Sequence, residues 1–204
     1  MKITIATVLG LALALSSPAQ ARITEIRIER IQPFAGGMEF GDVGAYERVV
    51  GVAKGELDPA DLRNRVIVNL DKAPKNARGR IEYQTEFYLL RPVDASRGNR
   101  KILYEVNNRG RKFLLHWMLD APAQAVAANN EPKDAKDAGN GLLFRQGYIM
   151  AWSGWDPDAP KSNNGMTIKV PVAMDRGQPI VRRIREELVS GTRAPLASRR
   201  KVEI

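Results

Sequence analysis

The stretch KILYEVNNRG, Lys101 to Gly110, decides the fold class of this chain. A short apolar run, Ile102 to Val106, stops at two asparagines, an arginine and a glycine. The run predicts a buried strand, and Asn107, Asn108, Arg109 and Gly110 predict a tight polar loop at its C-terminal end. In open α/β sheets that end is where ligands and chemistry sit. A second unit of the same kind is NGLLFRQGYIMAWSGWD, Asn140 to Asp156. Asn140 suits the cap of a short helix over 141–146, Gly147 suits its stop, and Tyr148 to Trp152 predicts another buried strand. Ser153, Gly154, Trp155 and Asp156 then form the second strand-end loop. Both strands are apolar on both faces, as buried parallel strands are. Between them, Phe113 with Trp117, Leu114 with Met118 and Leu115 with Leu119 recur at helical spacing. That predicts a helix over 112–119, the crossover a parallel pair requires.

Towards the N-terminus the pattern changes to alternation. Arg22 to Ile31 has Ile26 and Ile28 on one face and Glu25, Arg27 and Glu29 on the other, which predicts a half-buried strand. Tyr46 to Leu57, Arg65 to Leu70 and Ile81 to Leu89 predict three more. In the last, Ile81, Tyr83, Thr85, Phe87 and Leu89 are expected on a dry face and Glu82, Gln84 and Glu86 on a wet one. Pro33, Gly36, Gly37, Gly41 and Gly44 mark a loop, and Pro92 a strand end. Beyond Asp156, Met166 to Val172 and Ile180 to Val189 are strand-like, joined as a hairpin through Asp175-Arg176-Gly177. The expected fold class is α/β. N-terminal antiparallel strands (a β-rich region, 22–99) lead into the first parallel strands of a core sheet with a C-terminal hairpin excursion (100–204).

The chain has 204 residues, 44% of them hydrophobic, enough for one domain with a real core. Lys2, the apolar run Ile3 to Leu15, the break at Ser16-Ser17-Pro18 and the small-residue site Ala19-Gln20-Ala21 read as a secretory signal peptide over 1–21, cleaved after Ala21. The apolar run is too short to span a bilayer, which takes about 20 residues. The expectation is an exported protein, periplasmic or extracellular, with no membrane anchor after cleavage. It has no cysteine, so no disulfide framework, thiolate nucleophile or thiolate metal site exists. The formal net charge is +9, concentrated towards the C-terminus, with Arg199-Arg200-Lys201 as its densest cluster. A basic solvated face accounts for that charge; no nucleic-acid motif accompanies it, and no nucleic-acid partner is expected.

The loop Asn107 to Gly110 lies between a strand and a helix. Backbone N–H groups there can converge on one spot, the requirement for an oxyanion hole. An ordinary strand-to-helix turn, with asparagines satisfying local backbone, is the competing reading. Ser153 lacks the G-x-S-x-G setting of a strained nucleophile elbow, and Ser190 has Leu188 where that motif needs glycine. Asp156 and Asp158 offer two carboxylates to a cation, but a pair beside a proline is weak evidence for one and turn chemistry explains them. His116 is the single histidine and sits mid-helix between Leu115 and Trp117, so no Ser-His-Asp triad is legible. No histidine pair, G-x-G-x-x-G or P-loop is present, and no metal or organic cofactor is expected.

Four segments in combination resemble one family. They are PFAGGMEFGDVGAYERVVGVAKGELDP (Pro33 to Pro59), VNLDKAPKNARGRIEYQTEFYLLRPVD (Val68 to Asp94), LYEVNNRG (Leu103 to Gly110) and DAGNGLLFRQGYIMAWSGWD (Asp137 to Asp156). The chain resembles the N-terminal third of the exported bacterial α/β-hydrolase domain-containing proteins. The resemblance implies an α/β-hydrolase fold and serine esterase or acyl-hydrolase chemistry on a small ester-like substrate. It implies that Asn107 to Gly110 matches the oxyanion-loop region. It also implies that the serine elbow, the acid and the histidine lie in sequence beyond this chain, which on that reading is a truncated, inactive N-terminal portion. The alternative is a short non-catalytic exported β-rich protein that binds or scaffolds.

Overall fold

A computed structural model describes residues 22–123 and 130–181. The signal-peptide reading, most of the run Ile180 to Val189, Ser190 and the cluster Arg199-Arg200-Lys201 lie outside the described residues, as does part of the connection between 121 and 136.

Three long antiparallel strands form the backbone of the sheet: β1 (Arg22–Pro33), β2 (Tyr46–Leu57) and β3 (Ile81–Pro92). The KILYEV run forms β4 (Ile102–Glu105), and the second apolar run forms β5 (Ile149–Ser153). β4 and β5 pair in parallel, Ile102 opposite Ile149 and Glu105 opposite Trp152. Helix α1 (Leu114–Leu119) lies on the connection between them, and α2 (Leu142–Arg145) precedes β5. The strand order is β1-β2-β3-β5-β4, so β5 is inserted between β3 and β4. A sixth strand, β6 (Ile168–Lys169), pairs with β3 at Gln84 and Thr85, just past the point where β5 ends. The result is a mixed sheet, mostly antiparallel with one parallel pair, and few helices. Residues on both sides of position 100 contribute to this one sheet.

The edge of β3 passes from β5 to β6 at Gly154. The Gly154 N–H donates to Glu86 O (2.9 Å), and the Glu86 N–H donates to Thr167 O (3.3 Å). A Cβ on Gly154 would stand 2.0 Å from Thr167 O, so only glycine admits this approach.

The core covers one face of the sheet. Tyr46, Tyr88, Leu90, Met150 and Trp152 point to that face and pack with Phe34, Phe40, Leu115, Leu119 and Phe144. Phe144 of α2 is the hub, with ring centroids 4.5 Å from Phe40, 5.0 Å from Phe34 and 4.9 Å from Tyr46. The buried Tyr46 hydroxyl donates to Phe144 O (3.1 Å) and Tyr148 O (3.0 Å), tying the first long strand to the second unit. Burial raises the Tyr46 hydroxyl pKa.

The other face is largely open, which corrects several expectations. On β3 the face of Tyr83, Thr85, Phe87 and Leu89 is only half-buried, and the core lies under Tyr88 and Leu90 instead. The polar phase Glu82-Gln84-Glu86 continues into the dry end of the same face. On β1 neither face is covered: Ile23, Ile26, Ile28 and Ile31 are all about half exposed or more. They nevertheless share one face, because register shifts between Ile23 and Glu25 and between Ile28 and Arg30 place them opposite Gly55, Ala53, Gly51 and Val49. β4 is an edge strand rather than a buried one; Ile102 is 65% exposed and Val106 71%.

The expected strand Arg65 to Leu70 is instead a pair of 3₁₀ turns, Leu62–Val66 and Leu70–Lys72. Asp61 caps the first by accepting from the Arg63 N–H (2.9 Å), and Asn69, at φ 56°, breaks the alternation. A local side-chain bond and one left-handed residue outweigh the period-two pattern here. The expected strand Met166 to Val172 shrinks to β6. The predicted turn at Asp175-Arg176-Gly177 joins only the short strands β7 (Met174–Asp175) and β8 (Gln178–Pro179). The two helices are shorter than predicted. Asn140 Oδ1 accepts from the Leu142 N–H (3.0 Å) at the start of α2, and Gly147, at φ 74°, follows its end.

Candidate functional site

The parallel pair brings the two strand-end loops side by side. Asn107, 1% exposed, is the staple between them. Its Nδ2 donates to Ser153 O (2.7 Å), and its Oδ1 accepts from the Gly110 N–H (2.7 Å). Its backbone oxygen accepts from Trp155 Nε1 (2.7 Å). An asparagine carries both a donor and an acceptor on one planar group, which this double attachment needs. A second tie runs from Arg109 Nε to Asp156 Oδ2 (2.6 Å). The Arg109 guanidinium holds the Asp156 carboxyl below the usual carboxylate range. Asp156 also accepts from the Asp158 N–H (2.8 Å). Thus two ties join the loops, Asn107 to Ser153 and Trp155, and Arg109 to Asp156.

The loop itself is a tight turn. Asn108 and Arg111 exchange both backbone hydrogen bonds (3.0 and 3.1 Å), with Arg109 and Gly110 between them at φ 47° and 88°. Positive φ at both central residues is the hairpin turn that matches strand twist and favours glycine second. Gly110 is also fixed by space, since a Cβ would meet Met166 O at 2.6 Å. The Asn108, Gly110 and Arg111 N–H groups are therefore all engaged inside the loop.

The positive end of α1 is engaged as well. Glu105 closes β4, and its carboxylate accepts from the Phe113 N–H (2.9 Å), the Leu114 N–H (2.9 Å) and Trp152 Nε1. The anion at this helix start is the protein's own side chain. The signal for it was a single acidic residue inside an otherwise apolar strand.

Beneath the loop lies a buried polar node absent from the sequence reading. Lys112 and Asn130 are each 3% exposed. Asn130 Oδ1 accepts from the Lys112 N–H (2.7 Å), and its Nδ2 donates to Gly110 O (2.7 Å) and Asn164 O (2.9 Å). Lys112 Nζ donates to Asn130 O (2.7 Å) and lies 4.7 Å from the centre of the Tyr88 ring. Burial pushes the Lys112 ammonium down to about 8, against the opposing pull of Glu131, Glu105 and Glu86. Lys112 borders a polar groove of about 510 Å³ on the β1–β3 sheet, together with Glu86, Glu131, Lys161 and Lys169. No sequence motif announces Asn130, which lies in an alanine- and asparagine-rich connection.

Ser153 Oγ is hydrogen-bonded to the Tyr104 hydroxyl (2.7 Å) on the open face, and His116 Nδ1 to Ala121 O (2.8 Å). Neither serves the other, so the two do not form a nucleophile and base. Among the described residues no three metal-ligating side chains gather, and no helix is long and apolar enough to cross a membrane. No protein-family model, curated protein or solved structure matches this chain.

Proposed function

We propose that this chain is the N-terminal portion of an exported α/β-hydrolase, a serine esterase or related acyl hydrolase acting on a small ester-like substrate, and that it is inactive by itself. The observation that carries the reading is the β4–β5 parallel pair. Its two C-terminal loops are locked together by Asn107, at the sheet end where open α/β sheets place their ligands. The outer edge of β4, with Ile102, Tyr104 and Val106 exposed, suits a further strand continuing the parallel sheet. The engaged amides of Asn108, Gly110 and Arg111 accord with inactivity, because an oxyanion hole needs donors aimed at the substrate oxygen. The α/β-hydrolase likeness otherwise rests on the four sequence segments.

The test is to read the coding DNA beyond codon 204 and to assay the purified chain. A frame running into G-x-S-x-G and a later histidine, with no p-nitrophenyl butyrate hydrolysis by the 204-residue chain, supports the proposal. A stop followed by unrelated sequence, or hydrolysis abolished by Ser153→Ala, sinks it.

The open sheet face favours a second reading, a non-catalytic exported protein that binds or scaffolds. Exposed Ile23, Ile26, Ile28, Ile31 and Ile102 make an apolar surface of the kind that marks interaction sites. Sharp cooperative unfolding of a monodisperse chain supports that reading, and aggregation of the isolated chain supports the first.

A further inference from the structure

The open face carries a cavity of about 370 Å³ where β2 ends and β3 begins. This lies at the same end of the sheet as the two polar loops, past the point where β5 stops. Leu57 and Ile81, paired across β2 and β3, line it from the sheet; Val68 and Leu70 come from the 3₁₀ segment, and Ile168 and Pro171 from β6 and its extension. Leu70, Ala73 and Ile81 are buried as a small core of their own, so the floor is formed before anything binds, and Val68, 71% exposed, stands at its open rim. No charged residue lines the cavity. Its two polar side chains are Asn69 and Tyr83. Neither the Asn69 carboxamide nor the Tyr83 hydroxyl makes a hydrogen bond to another described residue. Asn69 also sits in the left-handed region, at φ 56° and ψ 21°.

These features define an occupant. Burying a charge against this lining is costly, which excludes ions. The volume falls at the small end of the roughly 300–1,000 Å³ typical of ligand pockets. The Asn69 carboxamide supplies a donor and an acceptor, so a carbonyl or hydroxyl oxygen is satisfied here, while the Tyr83 ring lies over Gly55 and adds apolar surface. We propose that this cavity binds one uncharged, largely apolar molecule bearing a single carbonyl or hydroxyl group, of the class of medium-chain alcohols, ketones and esters. The assignment is of a binding site and does not rest on the hydrolase reading.

The test uses the full 204-residue chain and the uncharged fluorophore N-phenyl-1-naphthylamine, displaced by 1-octanol or by 1-chlorooctane. The expected result is saturable binding of one fluorophore per chain, with octanol displacing it at lower concentration than chlorooctane. Asn69→Gly suits the left-handed backbone while removing the carboxamide. It should weaken octanol about tenfold and leave chlorooctane unchanged. Ala73→Phe, which fills the cavity, should abolish fluorophore binding, and Ile28→Glu on the open face should not. Non-saturating adsorption that Ile28→Glu removes overturns the proposal. So does an Asn69→Gly protein that folds normally and binds octanol as tightly as the parent.

Discussion

Lys112 should make this protein more stable as the pH rises from 7 to 9.5, the reverse of what a paired surface lysine does. Lys112 is 3% exposed, and its ammonium has one hydrogen bond to Asn130 O and the Tyr88 ring at 4.7 Å. Burial lowers its pKa from 10.5 to about 8. Below 8 both folded and unfolded chains carry the proton, and the folded chain bears the cost of burying it. Between 8 and 10.5 the folded chain has released the proton and the unfolded chain still holds it, so stability rises with pH. Such a shift corresponds to about 3 kcal/mol in the limit, of which about 2 kcal/mol should appear by pH 9.5. Above pH 10 the buried Tyr46 and Tyr88 hydroxyls, whose pKa values burial raises, oppose the trend. The informative window therefore ends at 9.5. The assay is urea unfolding at half-unit pH steps for the parent and for Lys112→Met. The parent should gain relative to the variant by about 2 kcal/mol across the window. At pH 7 the two should be close, because relief of the buried charge offsets the loss of a partner for Asn130 O. Parallel pH profiles for the two proteins would refute the reasoning, since they would mean that Lys112 titrates identically folded and unfolded.

Asn107→Ala removes the donor to Ser153 O and the acceptor of the Gly110 N–H in a buried setting, and should cost about 2–4 kcal/mol, read as a fall in Tm of several degrees. A loss below about 0.5 kcal/mol would mean water replaces both bonds. Gly154→Ala forces a Cβ to 2.0 Å from Thr167 O and should abolish soluble expression, whereas Gly177→Ala, with nothing within 4 Å, should stay soluble. Asp156 has its carboxyl pKa lowered chiefly by Arg109, so its contribution is present above the ordinary 3.8 and is lost as pH falls through the folded value. Acid unfolding followed by tryptophan fluorescence should accordingly be shallower in Asp156→Asn. Glu105→Ala strips the acceptor from the Phe113 and Leu114 amides and from the Trp152 indole, and should cost about 2–3 kcal/mol by urea titration, with Glu105→Gln recovering part of it.

The strands read at Tyr46 to Leu57 and Ile81 to Leu89 were legible because the period of a strand's side chains is local and regular, and the parallel pairing of β4 with β5 because two short apolar runs flank a stretch of helical spacing. The candidate site was legible as two strand-end loops. Its joinery was not. Asn107 to Ser153, Arg109 to Asp156 and Asn130 to Gly110 are pairs far apart in sequence, and nothing local distinguishes a stapling asparagine from one that merely turns the chain. Arg65 to Leu70 misled for the complementary reason. Its alternation is real, but Asp61 capping and the left-handed Asn69 favour 3₁₀ turns over a strand.

By itself the sequence determined which residues share a face: Tyr83, Thr85, Phe87 and Leu89 on one side of β3, Glu82, Gln84, Glu86, Tyr88 and Leu90 on the other. Only the tertiary structure decided which side is covered. Phe34, Phe40, Phe144 and α1 reach the sheet from distant segments and settle over Tyr88 and Leu90, while the more continuously apolar side stays open. Alternation sets direction through backbone geometry, which is local. Burial depends on what packs on top, which is not.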